Sequence, residues 1–598
     1  MANLFLKGKL EMKIRDLMVS LYIYSFSMSA YAADYFISST QGNDVNDGAT
    51  AASAFYSLAK INSLNLLPGD RVLFKSGDQW KGMFWPKGSG TQALPIHIGS
   101  YGGEAPAIID GDGFQASILI FNDDYYEISN LELTNEASYL DAINGQAKKL
   151  SGFGGQENSW GSGRDVRFGI KIVASTRSLN YFRLNNINIH DIYPTPNTLT
   201  LKHQGYGVKF ESQSNVATNN INTISNVVID SVTIEKTGHY GIWIKPLGLN
   251  GIDLYKHYDF TLRNSSFLNT GGSGFVSVKA ANVLVENNLF DGTGSSDDSR
   301  MWQRGSGTWP FDSKNVVIQN NVFKNAKGPL DSYGVHIDYN NENVVVQYNF
   351  SYNNEGGFVQ ILGANINSGY RYNISVADGS RVKDINGALQ NGRIFHVSDY
   401  CNVNAGCPST SNFIYNNTVF VPSAISPEIY FHANSGETLF YNNLIYLEQG
   451  STPLTTVLSD QGVQLSVSNN LYYPLASFSL DQKLTTNAIY NNPGLRLAGS
   501  QLPSMYKLVS GSPAKHAGKI IQGSEDVSVY SFNNGGRDYF GNTVSDSIAP
   551  HIGAYNANEL LSGFISEDEF NIPMITSTLT SLLAGVLLVI SMRRKSPH

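Results

Sequence analysis

The sequence predicts an all-β protein built as a parallel β-helix solenoid. Short apolar runs that end in Asn recur along the chain, and Asn288, Asn321, Asn349 and Asn373 stand at intervals of 33, 28 and 24 residues. Such intervals suit one coil of a solenoid with extra residues looped out. The composition agrees, because 57 Gly residues and only 15% charged residues indicate short strands and tight turns. A chain of 598 residues is also too long for one compact core.

Residues 1–32 have the features of a signal peptide. Basic residues between Lys7 and Arg15 precede an apolar run from Leu17 to Met28, and Ala30-Tyr31-Ala32 provides a small-x-small cleavage site. The apolar run is short for a membrane span. We therefore expect export of the chain and a mature protein that begins at Ala33, in the envelope, at the surface or outside of a Gram-negative cell.

Residues 33–110 are predicted to hold an N-terminal cap and the first strands. Phe55, Leu58, Ile61 and Leu64 recur every three to four residues, which predicts an amphipathic helix of about four turns. A solenoid must cover its open apolar end. We expect this helix to be that cover.

Residues 111–555 are predicted to form the β-helix itself. The repeated Asn residues suit tight turns, in which their side chains bond to the backbone and to the Asn of the next coil. A second strand of each coil begins with Gly, as in YGVKF at Tyr206, YGIWI at Tyr240 and YGVHID at Tyr333. These are the strands whose outward residues we expect to carry the function.

Alternation of inward and outward residues predicts two outward columns, if Trp309 and Phe311 point inward. The first contains Lys171, Lys209, Trp243, Ser277, Pro310, His336 and Phe358. The second contains Glu211, Lys245, Lys279, Asp312, Asp338, Gln360 and His396. Lysines, acids, histidines and aromatic residues over successive rungs are typical of a sugar-binding surface.

Residues on these columns and on the loops beside them are the predicted substrate contacts. Long Gly/Ser-rich insertions in a regular solenoid often hold binding residues. Trp can stack on a pyranose ring, and Arg can clamp an anionic group. The predicted substrate-binding residues are Lys245, Lys279, Trp302, Arg304, Gln360 and His396.

The predicted catalytic residues are Asp312, His336, Asp338 and Glu355. Asp312 and Asp338 are 26 residues apart, about one coil, which predicts neighbouring carboxylates on adjacent strands. One of them would then stay protonated as the general acid of a glycoside hydrolase, with Glu355 as a third candidate. His336 would tune this pair or act as a base.

Two other interpretations of these residues remain open. A polysaccharide lyase needs a base and a cation that neutralises a uronate carboxylate, and a calcium ion between Asp312 and Asp338 would supply that cation. Alternatively, Asp312, His336 and Asp338 form only a solvated polar ladder, as on a non-catalytic adhesin or carbohydrate-binding protein. No other cofactor is predicted.

The C-terminal residues predict a tether and a membrane segment. Residues 556–571 are polar and form a predicted linker. Residues 572–598 contain an uncharged stretch from Ile572 to Met592 followed by Arg593-Arg594-Lys595, which suits a transmembrane helix retained as an anchor or removed as a sorting signal. The net charge of −8 argues against a nucleic-acid partner. Cys401 and Cys407 are predicted to form a disulfide in an oxidising compartment.

The repeats, the Gly-led strands and the terminal phrases DYFGN from Asp538 and HIGAY from His551 resemble the bacterial right-handed parallel β-helix proteins with a pectin-lyase-like fold. The resemblance covers residues 34–555. It implies the fold and a polysaccharide partner, but its members include lyases, glycoside hydrolases, epimerases and non-catalytic surface proteins. The calcium and arginine signature of pectate lyases and the complete Asp-Asp set of polygalacturonases are not found. We expect cleavage of a polysaccharide, neutral or acidic, by hydrolysis or β-elimination.

Overall fold

The computed structural model describes residues 32–136, 166–194, 204–213, 217, 221–403, 406–452, 455–457, 464–474, 485–522, 529–530 and 532–557. In these ranges the chain is almost entirely β-structure, and the strands of successive coils pair in parallel. The predicted parallel β-helix is therefore confirmed.

The longest sheet collects two strands from most coils. Its strands are β1 (Asp34–Ile37), β2 (Arg71–Lys75), β3 (Gln79–Lys81), β4 (Ile96–Tyr101), β5 (Ala107–Asp110), β7 (Tyr126–Glu136), β9 (Leu179–Tyr193), β11 (Ile224–Asp230), β12 (Thr233–Thr237), β14 (His257–Arg263), β15 (Ser266–Leu268), β17 (Ala280–Glu286), β18 (Leu289–Asp291), β20 (Lys314–Gln319), β21 (Val322–Lys324), β22 (Glu342–Gln347), β23 (Phe350–Tyr352), β25 (Gly369–Arg371), β26 (Ile374–Val376), β28 (Ser409–Tyr415), β29 (Thr418–Val421), β31 (Gly436–Tyr441), β32 (Leu444–Leu447), β34 (Gln464–Ser468), β35 (Leu471–Tyr473) and β36 (Thr485–Thr486).

The Gly-led strands form two shorter sheets. The first contains β6 (Ala116–Phe121), β8 (Val166–Ala174), β10 (Gln204–Ser212), β13 (Ile242–Lys245), β16 (Phe275–Val278) and β19 (Thr308–Phe311). The second contains β24 (Gly357–Ile361), β27 (Arg393–Val397), β30 (Glu428–Phe431) and β33 (Thr455–Val457). Bridges of the segment 333–337 with Thr308 and with Gly357 and Ile361 connect the two sheets.

A ladder of buried asparagines stacks the coils at the bend between the paired strands of the long sheet. The Nδ2 of Asn321 donates to the Oδ1 of Asn349 at 3.0 Å, and Asn349 donates likewise to Asn373 at 3.0 Å. The Nδ2 of Asn349 also donates to the carbonyl of Ile318 at 2.9 Å. The predicted stacking of Asn on Asn is therefore confirmed.

Glycines that open several of the second strands are required by the packing inside the coil. A Cβ on Gly307 would lie 2.4 Å from Cδ1 of Phe323, and one on Gly274 would lie 2.5 Å from Cδ1 of Phe290. Phe290 and Phe323 stack in the core with ring centroids 4.8 Å apart. The glycines therefore leave room for an internal aromatic stack.

The N-terminal helix is much shorter than predicted. The α-helix α1 covers only Leu58–Asn62, and a 3₁₀ turn covers Ala51–Ser53. Phe55 instead makes a parallel bridge with Ile37. Phe55, Leu58 and Ile61 are buried in the main core, so the predicted apolar residues do cover its N-terminal part. The periodicity of the sequence reflected this burial rather than a long helix.

Residues 532–556 pack on the outside of the long sheet. The hydroxyl of Tyr348 donates to the carbonyl of Gly535 at 2.8 Å, and the Nδ2 of Asn416 donates to the carbonyl of His551 at 2.8 Å. The chain divides into the units Met1–Asn556 and Ala557–His598. Three predicted segments fall largely outside the described residues. They are the signal peptide (1–32), of which only residue 32 is described, the linker (556–571), of which only residues 556 and 557 are described, and the membrane segment (572–598). Among the residues that are described, no helix has the length and apolarity of a membrane span.

Candidate functional site

The outer residues of the two shorter sheets align in one column, here called the outer column. Strand pairing aligns Lys209 with Trp243, Trp243 with Val276 and Val276 with Trp309. The bridge between Thr308 and Val335 places His336 beside Trp309. The column then continues, through the bridges and the second sheet, with Gln360, His396 and Tyr430.

The predicted columns are wrong in the middle rungs. Ser277 and Pro310 are in register with the core residue Ile244, and Phe358 is itself part of the core. Trp309 and Phe311 lie half-buried on the outer side. Strands β16 and β19 have apolar residues on both faces, so alternation could not reveal which face is inside. Gln360 and His396, which were predicted in the column of Asp338, lie in the column of His336 instead.

Asp312 is not the strand neighbour of Asp338. The N–H of Asp338 donates to the carbonyl of Pro310 at 3.2 Å, and the N–H of Asp312 donates to the carbonyl of Tyr339 at 3.2 Å. Asp338 therefore lies opposite Phe311, and Asp312 is one residue further along the coil. The predicted stacked pair of carboxylates does not form.

Asp312 is instead buried and hydrogen-bonded by other groups of the protein. Its side chain is 1% exposed and accepts hydrogen bonds from Nζ of Lys256 at 3.2 Å, Nδ2 of Asn340 at 2.7 Å and the N–H of Gly251 at 2.8 Å. A buried carboxylate with these donors has its charge compensated within the protein. A calcium ion shared between Asp312 and Asp338 therefore has no support in this geometry.

Asp338 is the carboxyl group with the properties of a general acid. Its side chain is half-buried and keeps some accessible surface. Burial raises the pKa of Asp338 to about 7, the nearby charge of Asp331 adds to this shift, and Arg304 opposes it. Within the described residues, its side chain accepts a hydrogen bond only from the N–H of Tyr339, at 2.8 Å. A carboxyl group that is half protonated near neutral pH suits proton transfer.

Asp331 is a second carboxylate at this site, and sequence reasoning missed it. Its Oδ2 accepts from Nε and Nη2 of Arg304 at 2.9 and 2.5 Å. Burial raises the pKa of Tyr240, and the charges of Asp331 and Asp338 both raise it further. The hydroxyl of Tyr240 therefore lies within electrostatic reach of both carboxylates. Arg304, predicted as a substrate contact, contributes to the site through Asp331.

The turn that carries Asp331 is held by Arg381. The Nη1 of Arg381 donates to the carbonyls of Gly328 and Asp331, both at 3.0 Å, and its Nε donates to the carbonyl of Gln390 at 2.9 Å. Asp331 and the next residue, Ser332, both have left-handed backbone, with φ of 52° and 67°. Residues other than Gly adopt this conformation only where their surroundings hold it. Arg381 is thus a positioning residue for Asp331.

His336 is buried beside these carboxylates. Its Nδ1 lies 3.0 Å from Oγ of Ser306, and its ring stacks on Trp309 with centroids 5.4 Å apart. Burial lowers the pKa of His336 to about 4, so the imidazole is neutral at neutral pH. The Nε1 of Trp309 donates to Oγ of Ser273 at 2.9 Å, which fixes the indole plane.

Buried and half-buried aromatic side chains cluster on the outer side of the sheet, on the N-terminal side of His336. Tyr206 stacks on Trp243 with centroids 5.1 Å apart, and Tyr240 contacts Trp309 at 6.1 Å. The predicted contact Trp302 packs on His239 at 4.7 Å. Such a surface offers aromatic faces to which sugar rings can bind.

Gln360 and His396 form a polar network on the C-terminal side of His336. Nη1 of Arg393 lies 3.0 Å from Nε2 of His396, and Nδ1 of His396 lies 3.1 Å from the amide of Gln360. Because Arg always donates, Nε2 must accept and Nδ1 must carry the proton. The amide oxygen of Gln360 is then the acceptor for this N–H. Arg393 itself is paired with Glu428 at 2.8 Å.

The remaining predicted residues lie around this centre. Lys245 covers the ring of Trp243 at 4.6 Å, and Lys279 donates to the carbonyl of Gly248. Burial lowers the pKa of Lys279, and Asp312 opposes the shift. Glu355 accepts from the N–H of Gly328 at 3.0 Å and thus supports the turn that leads to Asp331.

Cys401 and Cys407 are joined by a disulfide, with Cα atoms 5.9 Å apart. In the part of the chain that the structure describes, no group of three or more His, Cys, Asp and Glu side chains is arranged to hold a metal ion.

Comparisons with known proteins agree with this architecture. Residues 168–369 match a family model. Its description is "Right handed beta helix region". The matched residues include Trp309, Asp331, His336 and Asp338. The resemblance to right-handed β-helix proteins that the repeats indicated is therefore shown.

One curated relative is a lacto-N-biosidase from Bifidobacterium longum subsp. longum. It is 24% identical over 614 residues, which cover 88% of this chain and 36% of that protein. The chain thus spans about a third of the length of the curated relative it matches.

Similar solved structures are also found. A GH136 lacto-N-biosidase from Eubacterium ramulus has 20% identity and a TM-score of 0.49, covering 72% of this chain and 66% of that chain. XylC in complex with xylose has 11% identity and a TM-score of 0.49, covering 88% and 98%. An alginate lyase from Paenibacillus sp. str. FPU-7 has 17% identity and a TM-score of 0.36, covering 53% and 92%.

Proposed function

We propose that this protein is a glycoside hydrolase in which Asp338 is the general acid and Asp331 is the second carboxylate. The observation that carries the proposal is the environment of Asp338, where burial and Asp331 raise its pKa to about 7. Hydrolysis of a glycosidic bond requires one protonated and one ionised carboxyl group on the two sides of that bond. Asp331 is held in an ion pair with Arg304.

In the proposed reaction, the proton of Asp338 passes to the glycosidic oxygen as the bond from that oxygen to the anomeric carbon breaks. Asp331 either attacks the anomeric carbon directly or removes a proton from an attacking water. Trp309, fixed by Ser273, and Tyr240 provide surfaces for the sugar rings beside the cleaved bond. Neutral His336 can then supply a hydrogen bond without adding charge.

Hydrolysis is favoured over β-elimination by this pair of carboxylates. Elimination needs a cation free to neutralise a uronate carboxylate, whereas Arg304 is paired with Asp331 and Arg393 with Glu428. We propose saccharides that contain a lacto-N-biose unit as the first candidate substrates, a choice supported by the similarity to a lacto-N-biosidase. Export to the cell envelope, as the terminal segments predict, belongs to the same proposal.

The test compares wild-type protein with Asp338→Asn and Asp331→Asn on neutral, N-acetylated, uronic and sulfated saccharides. Reducing ends report hydrolysis, and ultraviolet absorbance reports unsaturated products of elimination. We expect reducing ends without absorbance from the wild type, and at least about a hundredfold loss in each variant. Unsaturated products would identify a lyase instead, whereas binding without any cleavage would identify a carbohydrate-binding protein. Asp312→Asn is the matched control, since its carboxylate is committed to Lys256.

A further inference from the structure

We propose that Tyr400, held by the disulfide loop, is a stacking platform for a sugar residue outside the cleaved bond. The proposal rests on the glycoside hydrolase assignment above. It is carried by three features of the loop: its closeness to the strand of Asp338, its rigid attachment and the exposure of one aromatic ring.

The loop lies directly against the coil that follows Asp338. The N–H of Asn340 donates to the carbonyl of Gly363 at 3.2 Å, and the N–H of Gly363 donates to the carbonyl of Tyr400 at 2.8 Å. A Cβ on Gly363 would lie 2.4 Å from the carbonyl oxygen of Cys407. The missing side chain thus lets the loop approach closely. As a result, the ring centroids of Tyr400 and Tyr339 are 6.1 Å apart. Tyr339 is the residue that follows Asp338 in the chain.

The attachment of the loop is rigid. The disulfide joins Cys401 to Cys407, and the N–H of Cys407 donates to the carbonyl of Asp399 at 2.7 Å. The carboxylate of Asp399 lies 2.9 Å from Nδ1 of His432. These contacts fix the backbone on both sides of Tyr400.

The ring at the end of this arrangement faces solvent. Tyr400 is 54% exposed, whereas Tyr339 is half-buried and packs edge-to-face on Phe311 at 4.7 Å. The three rings form an aromatic row beside Asp338, with Tyr400 outermost. A rigid, exposed tyrosine can bind a pyranose face at little entropic cost, so the ligand class is a neutral or acidic sugar ring of the same saccharide.

The test measures kcat/KM of wild-type protein, Tyr400→Ala and Tyr400→Phe on saccharides that extend beyond the cleaved bond on one side or the other, and on a minimal aryl glycoside. We expect Tyr400→Ala to lower the ratio of extended to minimal substrate about fivefold to tenfold, for extension on one side only. Tyr400→Phe should keep most of the ratio, because the ring does the binding. Tyr258→Ala is the matched control, since Tyr258 is 41% exposed on β14, which belongs to a different sheet.

A disulfide variant and a binding measurement distinguish failure of the platform from failure of the proposed function. The double variant Cys401→Ser/Cys407→Ser should lower the same ratio, since the loop loses its covalent tie. An unchanged ratio in Tyr400→Ala, with hydrolysis intact, would refute the platform and leave the proposed function standing. If no saccharide is cleaved, calorimetric binding decides: weaker binding in Tyr400→Ala keeps the platform, and equal or absent binding overturns it.

Discussion

Replacing Asp338 with Asn should stabilise the protein at neutral pH while removing its activity. In the folded protein the carboxyl group titrates at about pH 7, because burial disfavours its charged form. In the unfolded chain it titrates near the ordinary value of 3.8. The folded state therefore binds this proton more tightly, and the contribution of Asp338 to the stability of the wild type is most favourable below pH 4 and becomes less favourable as the pH rises towards 7.

The size of the effect follows from the separation of the two pKa values. A difference of one in pKa corresponds to about 1.4 kcal/mol of stability. The difference between about 7 in the folded protein and 3.8 in the unfolded chain therefore gives an upper bound of about 4 kcal/mol. The carboxyl group keeps some accessible surface, so solvent screening reduces this to about 2–4 kcal/mol. Asn has nearly the same shape and no charge, and Asp338→Asn should gain this amount above about pH 7 and nothing below about pH 4.

The assay is denaturant unfolding of wild type and Asp338→Asn at several values between about pH 4 and pH 8. A stability difference that grows across this interval supports the raised pKa of Asp338. A difference that is independent of pH, or a variant that is less stable at pH 8, would refute the reasoning. In the wild type, kcat/KM should also fall above about pH 7 as Asp338 loses the proton it must donate.

Three other predictions concern the supports of the site and of the coil. Arg381→Gln should lower kcat about tenfold to a hundredfold, because the turn that carries Asp331 loses its hydrogen bonds from the guanidinium group. Arg381→Lys should restore part of this loss, and an unchanged kcat in Arg381→Gln would exclude a positioning role. Asn349→Ala should destabilise the protein by about 2–4 kcal/mol in denaturant unfolding, because buried groups of Asn321 and Ile318 lose their partners; the exposed Asn353→Gly is its control. Gly307→Ala should cost about 1–3 kcal/mol, because the new methyl group overlaps Phe323, and a neutral result would show that this ring can move.

The repeats were predictable from the sequence because each coil uses the same local chemistry. Asn at the bend and Gly at the start of the second strand are required by hydrogen bonding and by internal packing, so both recur in the sequence. The helix near Leu58 was overestimated because burial alone produced its apolar spacing. Asp338 and His336 could be proposed as candidates because they stand at outward positions of a Gly-led segment, YGVHID.

The pairing of residues across rungs was decided only by the tertiary structure. In β16 and β19, both faces carry apolar residues, so the sequence does not indicate that Trp309 faces outward and Pro310 inward. Asp331 is preceded by a Gly-Pro turn and stands seven residues before Asp338, a spacing that by itself indicates no shared site. Its ion pair with Arg304 depends on a left-handed turn held by Arg381 from a later loop. Local chemistry thus determined the coil, whereas contacts between distant segments determined the surroundings of each carboxylate, because those contacts depend on loop paths that no periodicity encodes.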